Sequence, residues 1–511
     1  MKPLKPMRTA AFLAILATSA GCGGIIGPGL TASGDSSLSA KDYSAPSWAK
    51  NAVFYQIFPE RFANGDKSND PQGTMPWGSA PTNTNFMGGD LQGVIDHLDY
   101  LQKLGVTAIY LNPIFESPSN NKYNTTDYLK IDPEFGNLQT FQTLVADVHA
   151  RGMKLILDGV FNHTGDTFWA FQQDKAQGPT SPYWNWYTIY GYPVVTSPQP
   201  NYLCWWGFGM LPKLNYSNPA VPNYILNTVV DYWTRQGIDG WRLDVPNEVT
   251  LQGFWQSFRQ KVLSINPNAY IVGEIWTDPS PWVKGDMFDA TMNYPFASDV
   301  LAFVNHQESA SAFDSQLASE RSGMGPATNN EFNIIDSHDT ARFLTEAGTD
   351  PYRQREAALI QMTYPGAPVI YYGDEYGMQG QKDPDDRRCF DWNQADWNMT
   401  TWNWYQKLIA IRKSEPALRD GWFQTVDVDN QNNVYAYLRE KQGNYDRILV
   451  VVNNQYSAQP ITVPTANTDL ANGTVLTDLL SGTKYTVQNG QVVLPGVDHG
   501  GVILSAGPAG T

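Results

Sequence analysis

The sequence predicts an α/β fold: a (β/α)8 TIM barrel with a domain B inserted after its third strand, followed by a C-terminal all-β sandwich. Three observations lead there. Short apolar, β-branched runs alternate with longer amphipathic stretches from about residue 50 to 420. Residues 161 to 213 interrupt that rhythm with Trp, Tyr, Pro and Gly, and a connection that long is functional or a small domain of its own. From about residue 421 the runs become strand-length and are bounded by Asn, Gly and Asp. A chain of 511 residues also exceeds what one core supports. An open doubly wound sheet is the architectural competitor.

Residues 1 to 21 read as an export signal, because Lys2, Lys5 and Arg8 precede "AAFLAILATSA", an apolar run too short to span a bilayer as a mature helix. "SAGC" resembles a bacterial lipoprotein cleavage box in which Cys22 would carry the lipid; Ser19 stands where that box usually has Leu, and simple secretion is the alternative. Residues 22 to 47 are rich in Gly and Ser, as a tether is. The barrel is expected over 48 to 160 and 214 to 420. Its strands are "AVFYQIFP", "TAIYLNPI", "KLILDGVF", "GWRLDV", "YIVGEIW", "NIIDSHD" and "PVIYYGDE", with helices such as "LQTFQTLVADVHARG" between them. In the region 421 to 511, "VYAYLREK", "RILVVVNN" and "GQVVLPG" are the sandwich strands.

Composition narrows the function. A formal charge of −16 argues against nucleic acid, which wants a basic patch. The 17 Trp serve either a Trp-rich core or stacking platforms for sugar rings. After Cys22 only Cys204 and Cys389 remain, which permits at most one internal disulfide and reads more simply as two isolated buried thiols. The six His form no metal-binding spacing, so a zinc site has no support.

Carboxylates stand at the C-terminal ends of several strands: Asp158 in "LILDGVFNH", Asp244 in "WRLDV", Glu274 in "IVGEIW" and Asp339 in "IIDSHD". One such residue is ordinarily a cap. Four converge on the barrel face where substrates bind. Arg242 and Asp244 lie two apart on a strand and share its inward face, so the arginine keeps the aspartate ionised, as a nucleophile requires. A structural ion pair would look the same, but buried pairs are weak stabilisers. Glu274 has apolar sequence neighbours, which favour the protonated carboxyl of a general acid. Two carboxyls in divergent environments are the working pair of a glycosidase, and Asp339 can stabilise the charge of an oxocarbenium-like transition state.

"DGVFNH" (158 to 163), "GWRLDVPNE" (240 to 248), "GEIW" (273 to 276) and "DSHD" (336 to 339) resemble, in order, the four signature regions of the α-amylase family of glycoside hydrolases. "LPKLN" (211 to 215) and "VPNEV" look like the neopullulanase, cyclomaltodextrinase and maltogenic amylase group. The resemblance implies Asp244 as nucleophile, Glu274 as general acid and base, and Asp339 as transition-state stabiliser. It implies Arg242, His163, His338, Asp158 and Trp276 around the sugar at the cleavage subsite, with Tyr123 as stacking platform, and Asp383 and Arg387 on the neighbouring sugar. Asn121 and Thr277 stand where the group often has His.

"NGDKSND" (64 to 70) by itself reads as a polar turn, whereas the resemblance implies a structural calcium site of Asn64, Asp66, Asn69, Asp70, Gly88 and Asp90. Relatives in the group carry a further β-domain before the barrel that builds a dimer. Here "AVFYQIFP" begins at Ala52, which leads to the expectation of a monomer with an open cleft walled in part by Trp205, Trp206 and Phe208.

The resulting expectation is an exported retaining hydrolase of α-1,4-glucosidic bonds in starch, pullulan, cyclodextrins and malto-oligosaccharides. A transglycosylase or isomerase on the same fold, and a non-catalytic carbohydrate-binding protein, are the alternatives. The intact set Asp244, Glu274 and Asp339 speaks against the last.

Overall fold

A computed structural model describes residues 45–441 and 446–507. The expected signal, Cys22 and the tether up to residue 44 lie outside the described residues.

Eight parallel strands form the barrel: β1 (Phe54–Ile57), β2 (Ala108–Leu111), β3 (Lys154–Gly159), β4 (Gly240–Leu243), β5 (Tyr270–Gly273), β6 (Ala290–Thr291), β7 (Phe332–Asn333) and β8 (Ala367–Tyr371). They run in the order β6-β5-β4-β3-β2-β1-β8-β7, and a parallel bridge between Met292 and Phe332 closes the ring. Closure removes the sheet edges that an open doubly wound sheet would keep. The strands β1 to β5 fall within the runs read from sequence, and β8 overlaps "PVIYYGDE", starting one residue before it. β6 was not foreseen, and β7 ends after Asn333, so "IIDSHD" is loop rather than strand. Both have a physical reason. Two-residue strands carry no periodicity, and part of their pairing is replaced by side chains: Glu331 accepts the Thr291 N–H at 3.0 Å and Asp289 accepts the Ile271 N–H at 2.9 Å.

Helices return the chain after most strands, as in Leu138–Ala150, Phe254–Ile265, Tyr294–Val304, Pro351–Thr363 and Met399–Ser414. Asn137, Asn293, Asp350 and Asn398 cap four of them with a side-chain oxygen. Between β5 and β6 the described chain has no helix. "TDPSPWVKGD" there places Pro279, Pro281 and Gly285 where a helix would need continuous N–H donors.

Side-chain phase along the strands places the site. Phe54, Ala108, Tyr110, Ile156, Tyr270, Val272, Ala290, Met292, Phe332, Ile334, Ala367 and Val369 form a buried cluster inside the barrel. Alternate residues such as Tyr55, Ile57, Ile109, Leu111, Leu155, Leu157, Trp241 and Leu243 pack outward against the helices. Continuing the inward phase toward the C-terminal ends gives Gln56, Asn112, Asp158, Arg242, Asp244 and Glu274, all buried. The barrel is thus apolar at its base and polar at its mouth.

The C-terminal strands are β9 (Trp422–Asp429), β10 (Val434–Lys441), β11 (Asp446–Asn453), β12 (Gln459–Pro464), β13 (Val475–Asp478), β14 (Lys484–Thr486), β15 (Gln491–Val497) and β16 (Val502–Ser505). They build an antiparallel sheet ordered β9-β10-β11-β16-β13-β14 and a pair β12-β15. Val434, Ala436, Leu438, Leu449 and Val451 face Ile461, Val463, Val492 and Leu494 across the sandwich. Tyr435, Tyr437, Ile448, Val450 and Val452 on the other face join the barrel's outer core. Double-sided burial explains why "RILVVVNN" is continuously apolar rather than alternating. Cys204, half-buried, and Cys389, buried, are both free thiols.

The opening residue of β4 is under a tight steric demand. A Cβ on Gly240 would lie 2.0 Å from the Tyr270 carbonyl oxygen and 3.0 Å from Ile156 Cγ2, so a side chain would part β4 from its neighbours. Gly240→Ala is expected to destabilise by ~3 kcal/mol and to lower the urea midpoint accordingly; a midpoint equal to that of the parent protein would show that the barrel yields there.

Candidate active site

Arg242 is fully enclosed and collects the carboxylates of the barrel mouth. Asp158 is its register partner on β3, and Nη1 donates to both Asp158 oxygens at 3.0 Å and to Asp244 Oδ1 at 3.3 Å. Nη2 lies 2.9 Å from Glu274 Oε2 and 3.9 Å from Asp339 Oδ2. Nε faces Met292 Sδ at 3.3 Å, and the guanidinium stands over the Tyr110 ring. Asp158, Asp244, Glu274 and the loop carboxylate Asp339 therefore meet at one cation.

Glu274 departs from its sequence reading. Its surroundings are polar: Oε2 accepts the Val245 N–H at 2.9 Å and Oε1 accepts Trp276 Nε1 at 2.9 Å, besides the Arg242 contact. Of the residues beside it in sequence, Gly273 and Ile275 alternate to the other face, and Trp276 turns its ring N–H onto the carboxyl. Val245 holds φ at 34°, a left-handed conformation rare for a β-branched residue, and so aims its N–H at Glu274. Asp244 has the sparser set of partners. Burial and then the charge of Glu274 hold its carboxyl well above the usual carboxylate range, against the pull of Arg242.

A second network fixes the rings. Tyr123 Oη donates to Asp158 Oδ2 at 2.8 Å and lies 2.6 Å from His338 Nε2; Tyr110 Oη donates to the same Asp158 oxygen at 2.6 Å. Gln56 Nε2 donates to His338 Nδ1 at 2.8 Å, which assigns the imidazole proton to Nε2, between Tyr123 and Asp339 Oδ2 at 3.2 Å. Burial, with Arg387 and Arg242 nearby, holds His338 well below its ordinary range and neutral. His163, pushed down by burial to about 4, donates from Nε2 to the Tyr123 carbonyl at 3.1 Å. Arg387 Nε donates to the His338 carbonyl at 2.8 Å, with Nη2 3.5 Å from Asp339 Oδ1 and Nη1 3.1 Å from Asp383 Oδ1. Asp339 and Asp383 keep side-chain exposures of 29% and 42%, open to a ligand.

Domain B supplies one wall. Lys213 of "LPKLN" pairs with Glu248 of "VPNEV" at 2.7 Å, so those two stretches meet in space. Trp205 stacks on His163 and on Trp206 in turn, and Trp206 and Phe208 are exposed. Trp276, also exposed, lies flat on Tyr294 at 3.6 Å. Sequence reasoning passed over Gln56, Asn112, Tyr110 and Tyr294. A signal existed for the first two, which are polar residues in the inward phase of apolar runs.

The 64 to 90 region is a separate cradle. Asn64 Oδ1 and Asn69 Oδ1 are buried without a hydrogen-bond partner, and a Cβ on Gly88 would lie 2.3 Å from Asp70 Oδ1. Among the described residues no group of three or more His, Cys, Asp or Glu side chains gathers as a metal site, so any ion here would rely on amide oxygens beside Asp70. Two residues of the expected set serve otherwise. Asp90 caps the helix Leu91–Asp96, and its oxygens accept Gly93 N, Gly65 N, Asp66 N and Asn69 Nδ2. The exposed Asp66 carboxylate closes a turn onto Ser68.

Replacing Arg242 tests the electrostatics. Arg242→Met leaves Asp158, Asp244 and Asp339, each already raised by burial, without that counter-charge. A carboxyl raised in the folded state favours folding below its unfolded pKa and loses that contribution as pH rises. The variant should therefore melt at progressively lower temperature between pH 5 and pH 8, more steeply than the parent protein. Parallel melting profiles would contradict the counter-charge role.

Comparison with known proteins gives this geometry its family. Residues 56–402 match the α-amylase catalytic domain, and 423–499 the maltogenic amylase C-terminal domain. A cyclomaltodextrinase of a Bacillus species is 48% identical over 81% of this chain and 74% of its own length. Neopullulanase 2 of Thermoactinomyces vulgaris is 45% identical over 90% of this chain and 79% of its own. Among solved structures, a cyclic α-maltosyl-(1→6)-maltose hydrolase from Arthrobacter globiformis superposes with a TM-score of 0.82 at 39% identity, covering 90% of this chain and 99% of that one. A cyclomaltodextrinase superposes at 0.84 with 44% identity, covering 91% and 79%. The chain belongs to the α-amylase family of glycoside hydrolases, in the group of cyclomaltodextrinases, neopullulanases and maltogenic amylases.

Proposed function

We propose that the chain hydrolyses α-1,4-glucosidic bonds of malto-oligosaccharides, cyclodextrins, pullulan and starch with retention of anomeric configuration. The observation that carries this is the convergence of Asp244, Glu274 and Asp339 around Arg242 at an open barrel mouth. In the productive state the proton of the pair sits on Glu274 and Asp244 is ionised against Arg242 Nη1. Glu274 gives that proton to the glycosidic oxygen as the bond to C1 breaks, and Asp244 attacks C1 from the opposite face. Glu274 then takes a proton from water, whose oxygen displaces Asp244 from C1. Asp339 faces the positive charge on the ring, Tyr123 offers the ring a stacking face, and Arg387 with Asp383 binds the adjoining sugar.

Retention is checked by following fresh product in NMR: the α-anomer should appear first, and early β-anomer would refute the double displacement. Asp244→Asn should fold as the parent does and lose on the order of 10³-fold or more in kcat. Product analysis on starch, pullulan, a cyclodextrin and a cyclic maltosyl-(1→6)-maltose sorts the preference. The last belongs in the set because the hydrolase of that sugar matches over 99% of its own chain.

The loop 64 to 70 is read as a structural calcium site. Asn64, Asn69 and Asp70 would hold the ion, which would engage the two unpartnered amide oxygens and brace the loop against Gly88. A chelator should lower the melting temperature, and added calcium should restore about 2–4 kcal/mol at large excess over Kd. A melting curve indifferent to both would remove the site.

A further inference from the structure

The stacking platform Tyr123 follows a residue with no expected role. Lys122 is fully buried, and its backbone is left-handed at φ 62°. Residues other than glycine rarely hold that conformation, and those that do are over-determined by their surroundings, often beside functional groups. The surroundings here are specific. Nζ lies 3.0 Å from Asp132 Oδ2 and 2.5 Å from Glu134 Oε2, and donates to the Ser117 carbonyl at 3.3 Å. The ammonium also sits over the rings of Phe86 at 5.3 Å and Phe135 at 5.0 Å.

These partners flank a two-stranded hairpin, Phe115–Glu116 with Asp127–Ile131, whose tip carries Tyr123. The side chain of Lys122 thus anchors the tip to its own base. The left-handed turn sends the next residue the other way, into the barrel mouth. Tyr123 is held along its length: its N–H donates to Asn121 Oδ1 at 3.1 Å, its carbonyl accepts His163 Nε2 at 3.1 Å, and its hydroxyl reaches Asp158 and His338.

We propose that Lys122 is a positioning residue that sets the substrate-stacking ring of Tyr123, an inference that rests on the α-glucan reading of this site. The peptide between the two residues is shared. Relaxation of Lys122 toward the right-handed region therefore swings the Tyr123 ring off Asp158 and His338.

A double-mutant cycle tests it. Lys122→Met keeps length and burial but removes the ammonium, and Lys122→Gly accepts the left-handed backbone without the anchor. Each is made alone and with Tyr123→Ala, and folding is checked by thermal melting. Alone, each should lower kcat/KM on maltotriose by about 10–10²-fold. In the Tyr123→Ala background each should change it by less than about twofold. Losses that multiply across the cycle, or parent-like kinetics of the single variants, would overturn the proposal. If Lys122→Met does not accumulate as folded protein, Lys122→Gly carries the cycle alone. Full activity of Tyr123→Ala would bring down the reading of the site as well, which separates that failure from the other two.

Discussion

The buried charge of Arg242 is the constraint on which the mouth of this barrel depends. A guanidinium removed from water needs anionic partners, and buried carboxylates need a cation. Asp158 satisfies the arginine on the neighbouring strand, both oxygens at 3.0 Å, which leaves the second face of the fork for Glu274 and the edge for Asp244. Asp158 is thus the structural half of the arrangement. By holding Arg242 in plane it allows the other carboxylates to stay near a cation without being locked to it. Tyr110 and Tyr123 both donate to Asp158, so their rings are fixed by the same charge that fixes the arginine.

Precision around that charge is obtained by strain as well as by pairing. Lys122, Val245 and Trp206 hold positive φ, and they adjoin Tyr123, Asp244 and Trp205 respectively. Each is restrained on the spot: Lys122 by two carboxylates, Val245 by its N–H bond to Glu274, Trp206 by stacking on Trp205. Conformations of this kind persist only where neighbours over-determine them. Among the described residues His306, Thr349, Asn433 and Asn489 hold positive φ as well, in turns elsewhere in the chain, so what marks these three is the site residue each adjoins.

The sequence was most legible where periodicity and chemistry coincide. The strands β1 to β4 are long enough to show an apolar run, and the inward phase of β4 alone places Arg242 and Asp244 on one face. It was least legible where side chains substitute for backbone pairing. β6 and β7 contribute two residues each, and Glu331 and Asp289 supply bonds that a longer ladder would have supplied. Environment was the other weak point. Glu274 lies among Val272, Gly273 and Ile275 in the chain, yet its carboxyl touches Arg242, Val245 and Trp276. One of these partners comes from another strand and one is a backbone N–H, and neither kind of contact is written in the residues alongside. For the same reason neither the composition of the loop nor the resemblance showed that the oxygens of Asp90 accept four N–H donors.

The partner sets of Asp244 and Glu274 bear on how roles are divided in such a pair. Glu274 has the richer set of donors, and burial holds the Asp244 carboxyl above its usual range, the reverse of what a standing nucleophile and acid would show. No contradiction follows, because the proposed reaction needs the proton on Glu274 only when a glycosidic oxygen is in place to accept it. What distinguishes them is position. Asp244 follows β4 and has Arg242 Nη1 at 3.3 Å. Glu274 follows β5, with Trp276 closing one oxygen and the other shared between Arg242 and Val245. On the proposed mechanism a sugar bound across Tyr123 brings a glycosidic oxygen as proton acceptor, and that acceptor favours the proton on Glu274. The fold therefore need not hold two carboxyls at opposite pKa extremes; it holds them at fixed places around one arginine, and the substrate completes the assignment.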